Sequence, residues 1–339
     1  MRLITVTEND AGQRFDKFLH KCLPAASSGF LYKMLRKKNI TLNDKKAEGK
    51  EILKLSDQVK FFLSDETYGK FEGLSLPDLS EYKRAYDELK GIRVVYEDKD
   101  ILILNKPAGI LSQKAETSQL SLNEWVAGYL LAGKEYGEET LQRFKPSVCN
   151  RLDRNTTGLV LAGKTLSGLQ FLSGALKERN IRKYYRLCVK GQIHKESVIE
   201  GYLLKDHAAN RVRIFPESDW KIKTAEKEKA AYIKTAYRPV KVMKDKTLLE
   251  VELITGKTHQ IRAHLSSAGH PLIGDYKYGD PDLNRKYRET FGIRTQMLHA
   301  YRLVFPDLPG EYSRLSGREF IAPVPEVFHR ICEEAPERI

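Results

Sequence analysis

The chain has 339 residues, 58 Lys and Arg against 45 Asp and Glu for a net charge of +13, and 41% hydrophobic residues. That much apolar side chain excludes a chain disordered throughout, and the length suits two domains. Cys22, Cys149, Cys188 and Cys332 are too scattered for a disulfide framework or a thiolate zinc site. The first residues lack the apolar core of a signal peptide, and no apolar run approaches the ~20 residues that cross a bilayer, so a soluble, cytoplasmic protein is expected.

Residues 1–65 hold 13 Lys and Arg against 8 Asp and Glu, making them more densely basic than the remainder. Phe15, Phe18, Leu19 and Cys22 recur at the period of a helix with one buried face. A second helix starts near Ser27 and Ser28, carries Leu31, Met34 and Leu35, and ends in Arg36-Lys37-Lys38. Alternating strands follow at 40–43 and 59–63. Cations at helix ends beside a small sheet suit a phosphate backbone better than a merely solvated face. Two glycines and a proline without periodicity place a linker at 69–90. Beyond it the pattern is mixed, with strands near 93–96, 101–105, 159–162, 184–189, 231–237, 247–254 and 297–304. Helices are expected near 120–131, 166–178 and 258–268.

Gly158 to Thr165 matches G-x-x-x-x-G-K-T letter for letter. A phosphate loop must be an irregular turn after a buried strand, whereas Leu159-Val160-Leu161-Ala162 reads as the strand itself, so the nucleotide reading fails. His259, His264 and His270 cluster, but the step between the first two is i, i+5, not the i, i+4 that sets two imidazoles on one helical face, and no Glu follows His259, so no metal is expected.

Two segments combine ionisable groups with backbone signals. In Cys149-Asn150-Arg151-Leu152-Asp153-Arg154-Asn155-Thr156-Thr157-Gly158 an acid sits between two arginines in a polar loop that feeds a buried strand. A carboxylate at a strand mouth can act as nucleophile or base, or can simply brace the loop. From Thr255-Gly256 a helix runs to Gly269, with Ile261, Leu265 and Ala268 as its apolar stripe and His259, Arg262 and Ser266 on another face.

Asn150 to Gly158 resembles the catalytic motif of the RluA family of RNA pseudouridine synthases. Thr255 to His264, continuing through His270-Pro271-Leu272-Ile273-Gly274-Asp275 to Tyr278-Gly279, is similar to that family's other long signature. Asn105-Lys106-Pro107-Ala108-Gly109 resembles its Lys-Pro-x-Gly loop, and Lys183-Tyr184-Tyr185 its Lys-x-Tyr strand. Arg14-Phe15-Asp16-Lys17, Lys33-Met34-Leu35-Arg36-Lys37 and Ile40-Thr41-Leu42-Asn43 are similar to the small RNA-binding domain of ribosomal protein S-four. The whole looks most like the RluC and RluD branch, which acts on large-subunit ribosomal RNA.

The resemblance implies an α+β protein: a small RNA-binding module at 1–68, then a catalytic domain at 91–330 on a large, mixed, mostly antiparallel sheet flanked by helices. It implies Asp153 as the catalytic aspartate, attacking the sugar or taking a proton from it. Tyr185 would be the tyrosine that stacks on the base, Arg262 the partner of the aspartate, and Arg151 the residue that helps flip the nucleotide. RNA contacts are expected from Arg14, Lys17, Lys33, Arg36, Lys37, Lys38, Asn43, Lys45, Lys106, Lys257 and His259. No cofactor or metal is implied, a monomer is expected, and transfer RNA is the alternative substrate. A non-catalytic RNA assembly factor is the other reading. Asn150, Thr157 and Lys257 depart from the family's usual His, Ser and Arg.

Overall fold

The computed structural model describes residues 1–72, 79–134, 136–137, 140–141, 144–206, 211–216 and 230–332. The basic N-terminal stretch closes on a core of its own. Strand β1 (Arg2–Thr5) is followed by helices α1 (Phe15–Cys22) and α2 (Ser28–Arg36) and strands β2 (Ile40–Leu42) and β3 (Gln58–Phe61), with β3 central in an antiparallel sheet. Phe15, Phe18 and Leu19 are fully buried, as their spacing requires, and pack with Leu31, Leu35, Val59 and Phe61. The Ser27 hydroxyl caps α2 by accepting the Phe30 N–H at 3.2 Å. Helix α3 (Asp65–Phe71) adds Tyr68 to the same cluster.

Helix α4 (Ser80–Glu88) belongs instead to the larger core. Leu79 and Ala85 are buried there, and Tyr86 packs against Trp125 of α5 (Leu122–Ala132) with ring centroids 5.7 Å apart. The stretch 69–90 is therefore helical at both ends, and each end is fixed to a different core. Leu79, Ala85 and Leu89 supply much of its apolar contact, joined by Tyr82 and Tyr86, and the tyrosines weaken the hydrophobic pattern. Residues 73–78, within this stretch, lie outside the described residues.

The larger sheet is built from β4 (Arg93–Glu97), β5 (Ile101–Lys106), β6 (Ser147–Val148), β7 (Thr157–Gly163), β8 (Arg182–Lys190), β9 (Ser197–Asp206), β10 (Arg211–Pro216), β11 (Ala231–Val242), β12 (Lys246–Leu253), β13 (Leu298–Val304) and β14 (Glu319–Ile321). Its order is β10-β9-β11-β12-β8-β13-β7-β5-β4, with β6 on β7 and β14 on β13, and every pairing is antiparallel except β13 with β7. The fold is thus the mixed, mostly antiparallel α+β arrangement that the resemblance implies. Helices α6 (Leu166–Lys177), α7 (Gln260–Ser267), α8 (Pro281–Phe291) and α9 (Glu326–Cys332) complete it.

Strand alternation separates two covered faces. Val160, Tyr185, Leu187 and Val251 pack with residues of α4, α5 and α7, whereas Leu159 and Leu161 pack with α6, and Cys188 with α8 and α9. β5 and β7 are buried on both sides, so they read as continuous apolar runs. The phosphate-loop look-alike is this buried strand. Its Lys164 ends in an ion pair with Glu97 at 2.7 Å, and the Thr165 hydroxyl caps α6 by accepting the Gly168 N–H at 3.0 Å. Where β7 and β13 run parallel, Gly158 has φ of +113° and a Cβ there would lie 2.1 Å from the Ala300 carbonyl oxygen, so only glycine fits.

Candidate active site

The loop between β6 and β7 carries Asp153, and it is clamped by the Lys-Pro-x-Gly loop that follows β5. The Ser112 hydroxyl accepts the Leu152 N–H at 3.0 Å and donates to the Leu152 carbonyl at 2.9 Å. Gly109 N–H donates to the Arg154 carbonyl at 2.9 Å, and Arg154 Nε returns a bond to the Gly109 carbonyl at 3.0 Å. Lys106 lies beneath this junction. Expected to touch RNA, it is instead fully buried, with Nζ donating to the carbonyls of Pro107 at 3.0 Å, Ile110 at 2.9 Å and Arg154 at 3.0 Å. All three ammonium donors are used, so its role is to tie the two loops together. Burial pulls this lysine down to about 7, with the nearby Asp153 charge opposing.

Arg262 joins Asp153 to a second acid. Its Nη1 donates to Asp153 Oδ2 at 2.7 Å, while Nε and Nη2 form a two-pronged pair with Asp275 at 2.7 and 2.8 Å. Burial pushes the Asp275 carboxyl up, but Arg262 and the amides of Lys277 and Tyr278 outweigh it and hold the group below its ordinary value. The guanidinium is thereby locked in one orientation. Asp153 has no hydrogen bond to Oδ1 among the described residues, and its side chain is 26% exposed.

The polar face expected of α7 meets Tyr278. Arg262 lies over its ring at 5.3 Å, the Ser266 hydroxyl donates to its carbonyl at 2.7 Å, and His259 Nδ1 lies 2.9 Å from its hydroxyl. The Tyr278 oxygen accepts the Val212 N–H at 3.0 Å, which leaves its own proton for His259 Nδ1. The imidazole then carries its proton on Nε2, 3.9 Å from Asp153 Oδ2. Burial, helped by Arg262, holds His259 below its ordinary value despite Asp153, so the ring is neutral near neutrality. His259 also adopts φ of +55° at the head of α7.

Tyr185 reaches the same cleft from β8. It is buried, and burial reinforced by the Asp153 charge pushes its phenol above the ordinary value, so the hydroxyl stays protonated. Arg151 is exposed two residues before Asp153, and it makes no hydrogen bond or ion pair among the described residues. Lys257 is exposed just before α7. Of the other two clustered histidines, His264 turns away to the Thr235 hydroxyl at 3.0 Å, and His270 to the Lys190 carbonyl at 3.0 Å.

The remaining expected RNA contacts lie in the N-terminal unit. Lys17, Lys33, Arg36, Lys37, Lys38 and Lys45 are exposed there. Arg14 is also exposed but paired with Asp16 at 2.6 Å, and Asn43 is committed to a turn, accepting the Gln58 N–H at 2.8 Å and donating to Asp57 at 2.9 Å. Two residues of the cleft escaped the sequence reading, Asp275 and Tyr278. Both stand inside the second long signature, where the only local signal was a carboxylate after a glycine.

Residues 100–267 match the family model described as RNA pseudouridylate synthase. An uncharacterized RNA pseudouridine synthase of Mycoplasma genitalium is 31% identical over 311 residues, covering 89% of this chain and 88% of its own. Ribosomal large subunit pseudouridine synthase C of Vibrio cholerae is 30% identical over 312 residues, covering 90% and 89%. The protein of the same description from Escherichia coli K12 is 30% identical over 314 residues, covering 90% and 88%. Among solved structures, human RNA pseudouridylate synthase domain containing 4 shares the fold with a TM-score of 0.56 at 20% identity, over 74% of this chain and 97% of that one. Similarity at 30% identity across 90% of the chain places it in the RNA pseudouridine synthase family, isomerases that convert uridine to pseudouridine.

Proposed function

We propose that this enzyme isomerises uridines of large-subunit ribosomal RNA, acting as a cytoplasmic monomer without metal or cofactor. The observation that carries the chemistry is the Asp153 carboxylate, with one oxygen held by Arg262 at 2.7 Å and the other, near Tyr185, uncommitted among the described residues. A uridine inside folded RNA is out of reach, so it must leave its stack at a cost of a few kcal/mol. Arg151, exposed at the loop, fills the gap it leaves, and Tyr185 supports the extruded base. Asp153 then acts on the ribose, as nucleophile at carbon one or as base toward a sugar proton. The N1–C1′ bond breaks, the base rotates, and C5–C1′ forms. The hydrogen at carbon five leaves and N1 gains a proton.

Affinity comes from a different region. The N-terminal module at 1–68 is of the ribosomal protein S-four type in this reading, and Lys17, Lys33, Arg36, Lys37, Lys38 and Lys45 meet phosphates without reading sequence, while Arg14 and Asn43 shape the surface. Lys257 and His259 act at the rim of the cleft. Two relatives named for the ribosomal large subunit favour that substrate over transfer RNA. The test uses transcripts of both RNAs carrying tritium at carbon five of uridine. Release from the ribosomal transcript is expected. Release from transfer RNA alone would overturn the substrate, and release from neither would overturn the activity assigned to this chain.

A further inference from the structure

Beside the Asp153–Arg262 pair opens a cavity of about 310 Å³, lined by Asn155, Arg211, Arg262, Lys277, Arg294 and Tyr276, with Gly274, Thr295 and Gln296 completing its wall. Its charge is one-sided. Arg211, Lys277 and Arg294 contribute cations, and among the described residues no carboxylate lines it; Asp275 lies behind the wall, wholly buried and spent on Arg262. Arg211 and Arg294 are exposed, and neither has a hydrogen bond or ion pair among the described residues. Lys277 sits below its ordinary value because burial, then Arg262 and Arg211, outweigh the opposing pull of Asp153 and Asp275, so cations crowd this side of the cavity. Backbone supplies the floor: Gly274 has φ of +77°, and a Cβ there would lie 2.2 Å from the Thr295 carbonyl oxygen. At the mouth Tyr276 is 55% exposed, an aromatic ring placed among cations with no core to fill.

We infer that this cavity binds the nucleotide adjoining the target uridine, with Arg211, Lys277 and Arg294 on its phosphodiester and Tyr276 as the platform for its base. The inference rests on the reading that Asp153 acts on a uridine in an RNA strand. Once that uridine lies against Asp153, the anion that must be near is the next phosphate, because the strand is continuous. Arg262 belongs to both sites, donating to Asp153 at 2.7 Å and lining the cavity, so the two are contiguous. Clustered cations with an exposed ring are also the chemistry that grips single-stranded nucleic acid, by charge along the backbone and stacking on the base. The consequence is that the neighbour of the target is unstacked too, so a target within a rigid duplex is a poor substrate.

The experiment compares Arg211→Gln, Arg294→Gln, Tyr276→Ala and Tyr276→Phe with the wild type, using tritium release from the large-subunit transcript across a salt series. Each Gln variant is expected to raise KM with most of the loss outside kcat, and to flatten the slope of log(kcat/KM) against log salt by about 0.7–0.9. Tyr276→Ala is expected to lower kcat/KM by about fivefold to a hundredfold, which Tyr276→Phe restores because stacking needs the ring and not the hydroxyl. Unchanged KM and unchanged salt slope in both Gln variants would overturn the inference, as would a loss confined to kcat. Should the wild type release no label, the functional reading fails first. Filter binding of the same transcript then still reads the salt slopes, so the two failures are distinguishable.

Discussion

Two carboxylates sit among arginines on opposite sides of the sheet near β8, and they differ in what remains free. Glu250 of β12 accepts Arg238 through Nε and Nη2, both at 2.6 Å, accepts the Tyr301 hydroxyl, and has Arg186 Nη2 at 3.3 Å. Its side chain is 4% exposed, against 26% for Asp153. Burial pushes Glu250 up, but these donors prevail and hold it below its ordinary value. Asp153 has Arg262 on one oxygen and none of this saturation. Proximity to arginine therefore marks neither acid as reactive; what distinguishes Asp153 is an oxygen that no donor among the described residues reaches, at an open cleft, backed by a cation that Asp275 holds still.

The strongest way to break this contrast is Asp153→Asn. With the free oxygen as the reacting group of the proposed reaction, turnover is expected to fall by at least about 10³-fold with RNA affinity nearly unchanged. Tritium release and filter binding measure the two separately, and surviving turnover would make Asp153 as structural as Glu250. Asp275→Asn comes next. It leaves Arg262 without its buried counter-charge, so a stability loss of about 3 kcal/mol by urea titration and a 10- to 100-fold fall in kcat from a misplaced guanidinium are expected together. Glu250→Gln should separate them. On the far side, with Arg238 exposed but Arg186 mostly buried, it is expected to lose about 2 kcal/mol of stability while kcat stays close to the wild type. A large fall in kcat there would show that the two clusters are coupled through β8.

The contrast also explains what could be read from sequence alone. Asp153 and the polar face of α7 were legible because their chemistry is concentrated in contiguous motifs, with His259, Arg262 and Ser266 at helical spacing. Asp275 was not, since its partner lies 13 residues back on α7, beyond a turn that Gly274 makes at φ of +77°. Lys106 shows the opposite failure. A lysine before Pro-Ala-Gly looks like a surface loop residue, yet one of its three acceptors, the Arg154 carbonyl, lies 48 residues away, and burial of that kind has no local signal. Most strands were anticipated within a few residues, but the short β1, β6 and β14 were not, nor were β9 and β10 near the sheet edge, where Glu200, Lys205 and Asp206 put charge on both faces of β9 and β10 is only six residues long. Helix α8 was missed although Pro281 and Gly292 mark its ends, since Leu283, Tyr287 and Phe291 are its only large apolar residues.

Protonation provides the mildest test of the same comparison, through two buried histidines, His264 and His299. His299 of β13 is fully buried, with Nδ1 2.7 Å from the Thr157 hydroxyl and Nε2 3.3 Å from the Ala322 carbonyl. Burial brings both His299 and His264 down to about 4 from the ordinary 6.5. Between those values the unfolded chain binds the proton and the folded chain does not. Stability is thus fully present above pH 6.5, is lost as pH falls toward 4, and changes no further from this source below it. Each histidine contributes up to about 1.4 kcal/mol per pH unit within that window. Urea titrations from pH 7 to 4 should therefore show a slope that flattens by about that amount in His299→Gln, whose amide keeps a donor for Ala322. Because His299 bonds the residue at the base of the Asp153 loop, activity at low pH should fade together with stability in the wild type and less steeply in the variant; an unchanged slope would mean that His299 accepts its proton while folded, and that the loop beside Thr157 is looser than its hydrogen bonds imply.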